Sequence, residues 1–134
     1  MSPERLFTPQ SANRTLPLVR KIVADVLNAG RELKAIGKST RTTDEKNAEA
    51  TRLTKRMEEL LAEFQQIGCF YKDWNFEIGL VDFPAVIDGR NVLLCWRSDE
   101  PAVKFFHGFQ DGYAGRREIP ERYFAEITEP AISS

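Results

Sequence analysis

The residues with the clearest chemical potential lie between Gly79 and Arg116. This stretch holds His107, the only histidine of the chain, and a loop with three glycines that is followed by two arginines. Arginine binds carboxylates and phosphates through paired N–H donors, and the N–H groups of a glycine-rich loop can face an anion. The stretch therefore suggests a site for a small molecule or an anion, with or without catalysis. The candidate residues of this site are Asp82, Arg97, Glu100, His107, Asp111 and Arg116.

Each candidate residue also has an ordinary structural explanation. No serine or cysteine stands at a signature spacing from His107, so a hydrolytic triad has no support. His107 and Asp111 are four residues apart, but the glycines around them disfavour a helix, so this spacing does not indicate a metal site. Cys69 and Cys95 form no metal-ligand motif, and we expect both to be small buried residues. We therefore predict no metal and no cofactor, and the sequence leaves catalytic activity undecided.

A β-hairpin must position the centre of this stretch. Asp88-Gly89 stands between two strand-like runs and is a strong signal for a type I′ turn of two residues. That turn fixes the register of the two strands and predicts one apolar face, which should pack on helices. The pairs on this face are Ile87 with Arg90, Ala85 with Val92, Phe83 with Leu94, and Val81 with Trp96.

The second face of the hairpin carries the polar candidates. In the predicted register Asp82 lies opposite Cys95 and diagonal to Arg97, within reach of a long side chain. This predicts an ion pair between Asp82 and Arg97 on a half-exposed surface. Alternatively, Asp82 positions the guanidinium of Arg97 to bind an anion. Pro84 lacks an N–H group, so that part of its strand should be a sheet edge or a bulge.

The helices precede the hairpin in the chain. A short helix is expected from Pro9, and Pro17 should end it and begin a second helix that runs to Gly37. Thr42 and Glu45 have the spacing of a capping box, which predicts a third helix that ends at Gly68. The second and third helices are long and are joined by a short loop, so we expect an antiparallel pair.

Strand signals are strongest at 80–87 and 91–97 and weaker at 70–72 and 103–107. They predict an α+β fold in which the long antiparallel helical pair packs on a small, mainly antiparallel sheet of three or four strands. A chain of 134 residues fits a single domain over 1–134. Its expected parts are helices at 9–67, the sheet and glycine-rich loop at 69–117, and a flexible tail at 128–134.

The composition of the chain limits the classes of partner that we expect it to bind. A net charge of −1 creates no overall field that would attract nucleic acid or anionic lipid, so nucleic-acid binding is not expected. No apolar run reaches the roughly 20 residues needed to span a bilayer, and the N-terminus lacks the apolar core of a secretory signal. Two isolated cysteines suit a reducing compartment. These features predict a cytoplasmic protein that does not bind membranes.

Several segments together resemble a known family. They are Gly79 to Ala85, Asp88-Gly89, Val92 to Arg97, Glu100-Pro101, His107, Gly112 to Arg116, and near the N-terminus Phe7-Thr8-Pro9 with Leu16-Pro17. In these segments the chain resembles a prokaryotic family of unknown function, domain of unknown function 2203. That family usually has Trp or Tyr where this chain has Phe106, and often has Phe where this chain has Tyr113. The resemblance implies a small cytosolic protein that is usually a single stand-alone domain, and it implies no reaction.

The leading functional hypothesis is a non-enzymatic interaction or scaffold protein. It depends on the continuous apolar stripes of the helices and on the lack of a recognised catalytic set. An exposed helix stripe, or the sheet edge at Pro84, would allow a homodimer. The alternative hypothesis is a small-molecule or anion site built from Arg97, His107 and Arg116, which requires these side chains to point into one cavity.

Overall fold

Two long helices and a five-stranded antiparallel sheet form the structure, a computed structural model that describes residues 5–38 and 42–124. The predicted α+β class is confirmed, but the sheet in this part of the chain has five strands rather than three or four. The predicted tail at 128–134 lies outside the described residues. In chain order the elements are α1 (Pro9–Ile36), α2 (Thr43–Ile67), β1 (Phe70–Tyr71), β2 (Leu80–Ile87), β3 (Arg90–Arg97), β4 (Phe105–His107) and β5 (Arg117–Glu118).

Helix α1 continues through Pro17, which corrects the predicted division into a short helix and a long one. Proline cannot donate to the carbonyl of Asn13, four residues earlier. Pro17 lies on the exposed side of the helix, where water can bind that carbonyl, so the missing bond is tolerated. Leu16 and Val19 are buried on the opposite side and continue the packing past the proline.

Helix α2 lies antiparallel to α1, as predicted. Arg56 pairs with Asp25 at 3.5 Å and Arg52 pairs with Glu32 at 3.8 Å, so the partner number rises in one helix as it falls in the other. The predicted capping box is present at the start of α2. Neither helix of the described chain is long and apolar enough to cross a membrane.

The hairpin between β2 and β3 has the predicted register at every pair. Both turn residues have positive φ, 53° at Asp88 and 77° at Gly89, as a type I′ turn requires. The inner face of the sheet forms the hydrophobic core with the two helices. Its fully buried side chains include Val81, Phe83, Leu94 and Trp96 from the hairpin, and Val23, Val26, Leu60 and Phe64 from the helices.

The outer face of the sheet is buried along its centre, not half-exposed as predicted. Asp82, Pro84 and Cys95 are buried on this face, and the cavity beside them is walled in part by residues of the loop after β4. Strand β2 has no neighbouring strand at Pro84 on the side away from β3, as predicted, but the N-terminal segment of the chain covers this edge. Strand β1 pairs only with Val81 and Asp82, and the N–H of Phe7 donates to the Pro84 carbonyl at 2.7 Å.

Candidate functional site

Three buried polar side chains meet on the outer face of the sheet. Asp82, Cys95 and His107 lie on the neighbouring strands β2, β3 and β4, and they are 3%, 2% and 4% exposed. One carboxylate oxygen, the thiol sulfur and one imidazole nitrogen all lie within 4.8 Å of one another. Among the described residues, this is where a carboxylate, a thiol and an imidazole come together, so it is the candidate site.

Strand register explains why these three side chains share a face. Asp82 is the direct partner of Cys95 across the hairpin. His107 is the partner of Leu93, two residues from Cys95 on β3, so it points to the same side of the sheet as Cys95. Cysteine is small, and this allows Asp82 to reach past it to His107 on the next strand.

His107 is held in one orientation by two hydrogen-bonding contacts. Its Nδ1 lies 2.8 Å from the carbonyl oxygen of Gly108, and its Nε2 lies 3.2 Å from Oδ1 of Asp82. A carbonyl oxygen can only accept a hydrogen bond, so we assign a proton to Nδ1. A neutral ring then directs the Nε2 lone pair at a carboxylate oxygen, and this contact requires a cation, either a proton or a metal ion.

Burial favours the neutral forms of the two acidic groups. Removal from water raises the pKa of Asp82 above its ordinary value, although the neighbouring His107 opposes this. Burial and the nearby Asp82 carboxylate raise the pKa of the Cys95 thiol to about 12. Without a bound cation, the site therefore favours protonated side chains.

A partly buried ion pair lies next to these three residues. The guanidinium of Arg116 binds the carboxylate of Glu100 with two hydrogen bonds, Nη1 to Oε2 at 2.8 Å and Nη2 to Oε1 at 2.7 Å. The same Nη2 donates to the Cys95 carbonyl at 3.1 Å, and the guanidinium lies 4.2 Å from the centre of the Phe105 ring. The guanidinium of Arg116 is therefore bound by groups of the protein. Its hydrogen bonds connect the loop after β4 to β3, the strand that carries Cys95.

Arg97 does not pair with Asp82, so that predicted ion pair is wrong. Its Nε donates to Asp99 at 2.6 Å, and its Nη1 donates to the hydroxyl of Tyr113. Arg97 ends β3, and the turn that follows supplies a nearer carboxylate. The carboxylate of Asp82 instead contacts the imidazole of His107, which lies on β4 beyond the intervening strand β3.

The glycine-rich loop uses its donors internally. Asp111 accepts the N–H of Gly108 at 3.1 Å, and its side chain fills the space where Gly108 and Gly115 would otherwise carry a Cβ atom. Only Gly112 among the glycines of this loop has a positive φ, at 65°. The loop therefore folds around its own carboxylate, and its N–H at Gly108 is not available to an external anion.

A cavity of about 280 Å³ opens beside the buried triad. Asp82 and His107 line it, whereas Arg97, Glu100 and Arg116 form the neighbouring group and Asp111 lies in the exposed glycine-rich loop. The six predicted residues are thus divided among the cavity wall, the neighbouring ion pairs and the loop. Cys95, which the sequence predicted to be a packing residue, lies with Asp82 and His107 at the cavity wall. Its predicted position opposite Asp82 is the signal that points to this role. The cavity is lined by Lys72, Leu80, Asp82, Leu93, Cys95, His107, Phe109, Gly112 and Tyr113.

Comparison with known proteins agrees with the resemblance seen in the sequence. The family model described as "Uncharacterized conserved protein (DUF2203)" matches residues 5–119. The chain belongs to this family. No curated protein and no solved structure matches the chain.

Proposed function

We propose that this member of the DUF2203 family binds one Zn²⁺ ion through Oδ1 of Asp82, Sγ of Cys95 and Nε2 of His107. These three atoms form the proposed metal site. The observation that carries the proposal is the convergence of these three buried atoms within 4.8 Å of one another, with Nδ1 of His107 placed 2.8 Å from a backbone carbonyl oxygen and Nε2 placed 3.2 Å from Oδ1 of Asp82. A zinc-ligating histidine commonly has this arrangement, because its second nitrogen donates to a carbonyl or carboxylate.

The donor set fits zinc better than magnesium or calcium. A thiolate and an imidazole are ligands of zinc, whereas the harder cations prefer oxygen ligands throughout. Tetrahedral bonds of about 2.0–2.3 Å place ligand atoms roughly 3.3–3.7 Å apart. Nε2 and Oδ1 are 3.2 Å apart, and all three ligand atoms lie within 4.8 Å of one another. Three protein ligands leave a fourth position, which on this proposal opens to the cavity.

Charge and redox state are also compatible with zinc. A carboxylate and a thiolate together neutralise the two positive charges of the ion, so the occupied site is neutral. Because burial raises the pKa of Cys95, zinc must displace the thiol proton, and binding should release protons. Both cysteines are free, and the cytoplasm, which is the location predicted from the sequence, would keep Cys95 reduced.

Titration with Co²⁺ tests the proposal, because this ion replaces zinc and absorbs visible light. We expect one equivalent of Co²⁺ to bind to the metal-free protein, with a thiolate-to-cobalt charge-transfer band and the strong visible bands of a four-coordinate ion. Zn²⁺ should abolish both bands by displacement, whereas Mg²⁺ in large excess should leave them unchanged. A protein that binds no Co²⁺, or binds it without a thiolate band, would contradict the proposal.

The interaction role predicted from the sequence remains a second proposal, in the form of a homodimer. Strand β1 is one of the two edge strands of the sheet, and Phe70 within it and Trp74 shortly after it are exposed aromatic residues. Pairing of two β1 edges would continue the sheet and cover these rings. Light scattering should give twice the mass of the chain, and Phe70→Lys should halve it. The exposed Val86 lies on β2, away from the proposed contact, so Val86→Lys serves as the control. A wild-type protein that is monomeric in solution would exclude the homodimer.

A further inference from the structure

The cavity beside the proposed metal site contains an unused positive charge. Lys72 is an exposed residue that lines the cavity, and its positive charge acts to lower the pKa of Asp82. Within residues 5–38 and 42–124, no ion pair shorter than 4.0 Å includes Lys72. A cation without a fixed partner at the wall of a cavity is suited to bind an anion from solution.

The charges around the occupied site favour a ligand with a single negative charge. The zinc ion, the Asp82 carboxylate and the Cys95 thiolate sum to zero. Arg116 is paired with Glu100 and Arg97 is paired with Asp99, so both pairs are also neutral. Among the residues that line the cavity, Lys72 is the charged side chain that remains, and one negative charge on the ligand balances it.

The remaining walls of the cavity are apolar. They include Leu80, Leu93, Phe109 and the aromatic residue Tyr113. A volume of about 280 Å³ lies just below the range of roughly 300–1,000 Å³ that is usual for drug-sized ligands. A ligand of this site therefore combines one charged end with a compact apolar body.

We infer that the cavity takes a small monocarboxylate whose carboxylate binds the open position of the metal and the ammonium of Lys72, while its apolar body contacts Leu80, Leu93 and Phe109. This ligand class rests on the proposed zinc function, since the metal is one of the two groups that would bind the carboxylate. A carboxylate oxygen is an ordinary zinc ligand. A neutral molecule of the same shape would meet an uncompensated positive charge.

Benzoate is the probe for this inference, and benzamide is its neutral counterpart. We expect benzoate to shift the visible bands of the Co²⁺-loaded protein along a saturating curve, and benzamide to leave them in place. Lys72→Met should weaken benzoate binding at least tenfold in samples whose thiolate band shows a filled metal site. Lys72→Arg should bind benzoate within threefold of wild type, because it keeps the charge. Lys55→Met, at an exposed lysine of α2, is the matched control and should have no effect.

The possible failures are distinct. If Co²⁺ does not bind, the zinc function fails and the ligand class fails with it. If Co²⁺ binds but benzoate leaves the spectrum unchanged, or binds equally to wild type and Lys72→Met, the zinc function stands and the monocarboxylate inference is overturned. Tighter binding of inorganic phosphate than of benzoate would also overturn it, since phosphate carries the wrong charge and no apolar body.

Discussion

Replacing Cys95 with alanine should lower the affinity of the protein for Co²⁺ at least a hundredfold, whereas replacing Cys69 with alanine should leave that affinity unchanged. Loss of a group that only supports a ligand already weakens metal binding about 10–100-fold, so loss of the ligand itself should reach or exceed the upper value. A hundredfold loss corresponds to about 2.7 kcal/mol.

The two cysteines form a closely matched pair. Each is 2% exposed and free, and burial raises the pKa of each thiol to about 12. They differ in their neighbours. Cys95 lies among the ligand atoms of Asp82 and His107, whereas Cys69 belongs to the hydrophobic core between α2 and the sheet. A difference in metal affinity would therefore report the neighbours of the thiol, and burial or acidity could not explain it.

Cobalt titration of both variants, followed by the charge-transfer band, measures this contrast. Both substitutions remove one buried sulfur, so thermal unfolding of the metal-free variants should show similar and modest losses of stability, which controls for misfolding. Zinc should raise the unfolding temperature of Cys69→Ala as it does that of the wild type, and should not raise that of Cys95→Ala. Equal cobalt affinities in the two variants would rule out Cys95 as a ligand.

The pairing of Asp82 with Cys95 is predictable from the sequence because it depends on a local signal. Asp88-Gly89 specifies a turn of two residues, and every pair on both strands follows from it. The distribution of apolar residues along the hairpin agrees with that register. Two of the three proposed ligands can therefore be placed side by side from the sequence, although the residue type of Cys95 favours a packing role over a ligand role.

The place of His107 is not predictable in the same way. Residues 98–104 connect β3 to β4, and the turn at the start of this segment does not by itself fix the register between those strands. Burial of the outer face escapes sequence-based prediction for a related reason. The loop after β4 returns over that face and is held by the contact between Arg116 and Glu100, which are 16 residues apart. Such non-local contacts have no periodic pattern in the sequence.

Two internal ion pairs, Arg97 with Asp99 and Arg116 with Glu100, explain why the sequence overstates both arginines as binding residues. Both have the chemistry to hold an anion, and the sequence alone does not show which carboxylate reaches them first. The turn after β3 places Asp99 and Glu100 within hydrogen-bonding distance of these arginines. An arginine near acidic residues in a tight turn is more economically explained by an internal ion pair than by an external ligand.

Replacing Glu100 with alanine should lower the free energy of unfolding by about 1–3 kcal/mol, because it leaves the partly buried guanidinium of Arg116 without a counter-charge. The two side chains are only 14% and 11% exposed. Glu100 also accepts the backbone N–H of Arg97 at 2.8 Å, and that bond is lost as well. Urea unfolding of the metal-free protein measures the effect without any contribution from metal binding.

Asp99→Ala is the matched control, because Asp99 lies one residue earlier and pairs with Arg97 at 2.6 Å, but is 53% exposed. An ion pair in solvent contributes about 0–1 kcal/mol, so this variant should remain close to wild type. Replacing Glu100 and Arg116 together with methionine should recover much of the lost stability, since no unpaired charge is then buried. If Glu100→Ala cost no more than Asp99→Ala, the pair with Arg116 would not be what holds the loop over the outer face.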